Sequence, residues 1–152
     1  MLTTLSNSRD HKYSQLLRSK NLWPVDPIAE KDWSGRGQHA EFLRSEKRLL
    51  DTIFEVEDIL GSTRTAVVQS VMCRRILLAR KTIRCNKQFT QEQAIKEVAH
   101  LTRLQHLHIV QVIGTYIMDT SISILLYHVA DYNLAVFLDR LTPDLLGHKE
   151  WN

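Results

Sequence analysis

Cysteine is scarce in this chain: Cys73 and Cys85 are the only two, too few for the disulfide framework of a small secreted fold. Long apolar runs are lacking as well. The longest, Ile122 to Ala130, is interrupted by Ser123, Tyr127 and His128 and is far shorter than the roughly 20 residues of a membrane-crossing helix. The first ten residues, M-L-T-T-L-S-N-S-R-D, contain no apolar core of the kind a secretory signal needs. These absences predict an intracellular location, cytoplasmic or nuclear, with no membrane association and with both cysteines as free thiols. There is also no block of one charge. Twenty basic residues against 17 acidic ones leave a net charge of +3, without the clustered Lys/Arg of a nucleic-acid binder, and no nucleic-acid partner is expected. His100, His106 and His108 fit no common zinc spacing with the two cysteines, and no G-x-S-x-G elbow marks a hydrolase.

What remains is ordinary globular material: 152 residues, 43% hydrophobic and 24% charged, enough for one domain with a modest core. Residues 1–38 read as a partly irregular arm, because they hold Pro24, Pro27, Gly35 and Gly37 alongside Trp23 and Trp33. Prolines and glycines interrupt regular structure, while tryptophans dock where a groove is offered; a short helix near 14–19 is the one element expected there. Gly35-Arg36-Gly37-Gln38-His39-Ala40 matches G-x-G-x-x-A. No hydrophobic strand precedes it, so a dinucleotide turn is not expected. Residues 39–52 read as a helix leading into the domain, with Phe42, Leu43, Leu49 and Leu50 as its apolar positions.

From 53 to 130 the period changes to two, with strands expected over 53–60, 67–72, 75–83, 109–117 and 121–129. Between the third and fourth lies a helix. Thr90 and Gln93 form a capping box at its start, and Ala94, Ile95, Val98, Leu101 and Leu104 supply its buried stripe. In 131–152, Leu134, Phe137, Leu138 and Leu141 fall at i, i+3, i+4 and i+7 of a further helix. The expected fold is therefore α+β: a five-stranded, mostly antiparallel sheet with one packed helix, an N-terminal arm and one or two C-terminal helices.

Three segments, in this order, resemble parts of one family. They are Leu78-Ala79-Arg80-Lys81, the run E-V-A-H-L-T-R-L-Q-H-L-H-I-V at 97–110, and I-L-L-Y-H-V-A-D-Y-N-L at 124–134. Together, from about Phe54 to Leu141, the chain resembles the small lobe and hinge of eukaryotic-type protein kinases, whose strand motif is V-A-I-K. The resemblance implies that Lys81 meets phosphate oxygens and pairs with Glu97 on the following helix. Glu92 is the rival acid, but its place in the first helical turn is explained by the helix dipole. Ala79 and Val68 would border the adenine, Leu126 would stand at the back of its pocket, and Asn133 would lie near the ribose. The Tyr127 carbonyl and Val129 amide would pair with the adenine edge. The glycine-rich loop is reduced to Gly61-Ser62-Thr63-Arg64-Thr65-Ala66-Val67-Val68, so Thr63 and Ala66 imply altered phosphate binding.

No H-R-D, D-F-G or A-P-E occurs in these 152 residues, and those motifs carry the catalytic base and the magnesium-binding carboxylate. ATP is the implied cofactor, with Mg2+ only where a large lobe is supplied. No catalysis is expected from the chain alone. The alternative is a pseudokinase-like interaction module, with a protein partner covering the apolar face of 134–141.

Overall fold

Six strands form one mixed sheet in the computed structural model, which describes residues 8–104 and 110–129. Expectations for Asn133, for His106 and His108, and for the helices of 131–152 fall outside the described residues. In chain order the elements are α1 (Ser8–Ser19), β1 (His39–Phe42), a 3-10 turn (Arg44–Glu46), α2 (Lys47–Ile53), β2 (Glu55–Ser62), β3 (Ala66–Cys73), β4 (Ile76–Arg84), α3 (Gln91–Arg103), β5 (Gln111–Met118) and β6 (Ser121–Tyr127). The sheet order is β1-β5-β6-β4-β3-β2. Among the described residues the fold is α+β with three helices.

The five strands expected from period-two alternation are all present, as β2 to β6. They pair antiparallel throughout. The sixth corrects the expected helix over 39–52. His39–Phe42 runs parallel to β5, pairing His39 with Thr115 and Phe42 with Met118, and helical structure starts only at Arg44. Four residues are too few for periodicity to declare a strand. What decides is the free edge of β5, which offers backbone partners that an isolated segment lacks.

Strand alternation sorts the sheet into two faces, and each carries its own core. On one, Ile83, Ile122, Ile124, Val112 and Ile117 meet the buried stripe of α3, Ala94, Ile95, Val98 and Ala99. Tyr13, Leu17 and Leu22 complete that cluster. On the other face Val71, Cys73, Leu78, Tyr116 and Leu125 pack against Trp33, Ala40, Phe42, Leu50 and Phe54.

Within residues 8–38, side chains reach both cores. Leu17 is 2% exposed and Trp33 5%, and one helix of 12 residues replaces the short segment expected. Trp33 packs at a tilt among Phe42, Phe54 and Tyr116, with ring centroids 6.3, 5.3 and 5.6 Å away. Its indole N–H donates to the Gln38 carbonyl at 2.9 Å. Gly114 makes room for this, since a Cβ there would run into the Gln38 oxygen and the indole nitrogen.

Candidate functional site

Lys81 lies in β4, between β3 and β6, on the face that α3 packs against. The order of side chains along β4 explains its environment. Ala79, Lys81 and Ile83 alternate onto that face, while Leu78 and Arg80 turn to the other. Ile83 is buried under α3, so the lysine stem leaves apolar surroundings while its ammonium stays partly in solvent. Its Nζ donates to Glu97 Oε1 at 3.4 Å, with the side chains 31% and 44% exposed.

Helix α3 begins where the capping box predicts. The Gln93 amide donates to Thr90 Oγ1 at 3.3 Å and the Thr90 amide to Gln93 Oε1 at 2.9 Å. Glu97 follows two turns later on the exposed side of the stripe. The rival acid, Glu92, points elsewhere, with Oε1 3.5 Å from Lys20 Nζ just past α1.

Cross-strand register gathers other expected site residues around the pair. Val68 stands opposite Lys81, and Ala79 stands between Ser70 on β3 and Leu126 on β6. Val68 and Leu126 are half-buried. Ala79 belongs to neither core cluster although only 9% exposed. The row continues through Met72 and Leu77, paired across β3 and β4, and Leu77 is 40% exposed. Ser70 and Met72 were missed as members of this surface, although the same alternation that singles out Val68 carries both. The result is a shallow apolar strip with one ammonium at its edge.

Gly61 faces Val68 at the end of β2, and a Cβ added there would meet nothing within 4 Å. No steric demand for glycine exists at this position. The turn beyond is closed by its own side chain: the Thr63 amide donates to the Ala66 carbonyl at 2.8 Å, and the Ala66 amide to Thr63 Oγ1 at 3.1 Å. Tyr127 ends β6 and packs toward the opposite core. Val129 follows two residues later, half-buried.

Arg80, an arginine in the strand motif, is accommodated on the opposite face. Its guanidinium lies 5.3 Å from the Phe54 ring centre and donates to Tyr116 Oη at 3.3 Å and Gln69 Oε1 at 2.9 Å. The Gly35–Gly37 loop has its amides occupied by the chain itself. Gly35 N and Gly37 N both donate to Asp32 Oδ1, at 2.8 and 2.9 Å, and a strand follows instead of a helix.

A separate groove of about 1150 Å³ lies between α1, the loop before α3 and the β5–β6 turn, and its lining includes neither Lys81 nor Glu97. Cys85 borders it, while Cys73 is buried. Burial pushes both thiols up, which keeps them protonated and poor nucleophiles. Among the described residues, no cluster of three His, Cys, Asp or Glu side chains could hold a metal ion, and no helix is long and apolar enough to cross a membrane.

No protein-family model matches this chain, and no curated protein matches it.

Proposed function

We propose that this chain carries the nucleotide-binding half of a protein-kinase-like domain, with ATP as its ligand. The observation that carries the reading is the Lys81–Glu97 pair at 3.4 Å, formed between an inner strand and the helix that follows it. In this family such a pair orients the lysine toward phosphate oxygens. Val68, Ala79 and Leu126 on the same face supply an apolar bed of the kind an adenine ring takes. The strand order supports the reading too: β6 returns between β4 and β5, and α3 crosses over the same face. Asn133 near the ribose, and main-chain contacts from Tyr127 and Val129, belong to the same proposal. Magnesium enters only with the carboxylates of a large lobe, since H-R-D and D-F-G are absent from these residues. The proposed activity is binding, without phosphoryl transfer by this chain alone.

A thermal-shift measurement on the purified chain tests it. Millimolar ATP with magnesium is expected to raise the melting temperature, and Lys81→Ala to abolish that rise. The substitution should cost no more than about 1 kcal/mol of intrinsic stability, because the pair is substantially exposed. No rise in the wild-type chain, or an equal rise in Lys81→Ala, sinks the proposal.

A second reading, a pseudokinase-like module that works through protein contact, is favoured by the β2–β3 turn. There Thr63 and Ala66 use their own amides to close the hairpin, so those donors are not presented to a phosphate. A partner covering the 134–141 face belongs to this reading.

A further inference from the structure

Strand β2 is the outermost strand on the β3 side of the sheet, and among the described residues no strand pairs with its other edge. It is eight residues long and exposed at every one of them. An open edge is a row of unpaired main-chain donors and acceptors, which folds normally blunt by keeping it short or polar. Here large apolar side chains stand in water along it: Val56 is 48% exposed, Ile59 69% and Leu60 41%. The register sorts the two sides of the strand. Val56 and Ile59 pair with Val71 and Gln69, while Glu55 and Asp58 pair with Met72 and Ser70. Directly paired residues share a face, so Val56 and Ile59 lie on the Trp33 side of the sheet and Glu55 and Asp58 on the α3 side. Register shifts after Val56 and after Ile59 each add one residue, so positions three apart recover the same face. The strand holds three carboxylates and no cation. At its start, Glu55 and Glu57 border a hollow of about 740 Å³ together with Arg74 and Arg75. Arg74 turns away to the Asp32 carbonyl at 3.0 Å, and among the described residues no ion pair joins either arginine to β2.

We propose that the open edge of β2 docks a basic protein partner, which adds to the sheet an extended strand of alternating apolar and Lys or Arg residues. Main-chain hydrogen bonds supply affinity in this mode of recognition, and the alternating side chains supply specificity. The apolar residues of the incoming strand lie beside Val56 and Ile59, and its cations beside Glu55 and Asp58. Opposite charges paired across strands are favourable, and like charges are not. A second copy of this chain therefore fits poorly, because β2 against β2 lines up carboxylates along one seam. The acids that keep the edge from indiscriminate pairing are also what select the sign of the partner. Neither Lys81 nor Glu97 takes part, so this docking edge is independent of the proposed nucleotide site.

A labelled synthetic peptide of alternating lysine and valine is the probe, titrated with the full chain and read by fluorescence anisotropy. Two peptides serve as controls: alternating glutamate and valine, and a lysine block followed by a valine block of the same composition. Hydrogen exchange of the complex locates the contact. The alternating Lys–Val peptide should bind at least about tenfold more tightly than either control, and more weakly as salt is added. It should slow exchange at residues 55–62 severalfold and leave α3 unchanged. Glu55→Lys combined with Asp58→Lys should invert the preference toward the Glu–Val peptide. Both positions are exposed, so the fold should survive; if it does not, the wild-type titrations decide by themselves. Equal binding of the alternating and block Lys–Val peptides overturns the proposal, since it marks charge attraction without strand pairing. No binding, or binding that leaves exchange at 55–62 unaltered, overturns it as well. So does protection of 55–62 that rises with protein concentration alongside a dimer in sedimentation, which would give the edge to a second copy. Amides of β2 already as protected as those of β6 in the free chain would mean that another segment of this chain holds the edge, and would likewise overturn it.

Discussion

His39 is 7% exposed, with Nδ1 2.7 Å from Thr115 Oγ1, and that hydroxyl is also bonded to Tyr13. One threonine thus joins β1, β5 and α1. Burial drives the His39 pKa down from 6.5 to about 4, because a charged imidazole there would be desolvated. The sign follows directly. In the unfolded chain the ring titrates near its ordinary value, so below it the unfolded state binds a proton that the folded state refuses. The stability from neutral burial is complete above about pH 6.5 and is lost as pH falls toward 4, by about 2–3 kcal/mol. Urea melts between pH 7.5 and 4.5 should show this loss, and His39→Asn should flatten it; equal pH slopes in the two proteins would refute the assignment. Nothing in the sequence around His39 signals it, since the histidine is buried only through a strand pairing 76 residues away.

At the scale of elements, local chemistry was legible where it is self-contained. The Thr90–Gln93 box satisfies backbone donors within four residues, and α3 begins at Gln91 accordingly. Thr90→Ala should lower stability by about 1 kcal/mol, read as a shift of the urea midpoint without a change in slope; no shift would mean that the box contributes nothing. The strands β3 to β6 were equally legible, because side chains that face two cores by turns leave a period-two pattern, whereas β2 is exposed along its whole length and is held by its pairing with β3. The short strand β1 was not, because its reason for existing is the edge of β5. The burial of Leu17 and Trp33 within 8–38 was not legible for a related reason. Pro24, Pro27 and the glycines do interrupt regular structure, but interruption says nothing about burial, and Trp33 in an irregular segment is one of the most enclosed aromatic rings.

For the whole molecule, residues 8–38 contribute to both cores. Tyr13, Leu17 and Leu22 close one and Trp33 the other. Each large side chain is worth about 1.5–3 kcal/mol of burial, against a total stability of about 5–15 kcal/mol for a domain. A chain beginning at residue 39 should therefore lose its cooperative thermal transition and bind a hydrophobic dye. A sharp melt from that shortened chain would show that the sheet and α3 suffice.

What the sequence by itself determined is the set of contacts encoded within a few residues of each other. These are the alternation that lays Ala79 and Lys81 on one strand face, the cap that starts α3, and the spacing that leaves Glu97 off its buried stripe. Tertiary structure alone decided the rest. It recruited 39–42 into the sheet, folded residues 8–38 into both cores and set α1 beside α3. Those outcomes depend on surfaces that exist only after distant segments meet, and no local pattern records the burial and free strand edges that such meetings create.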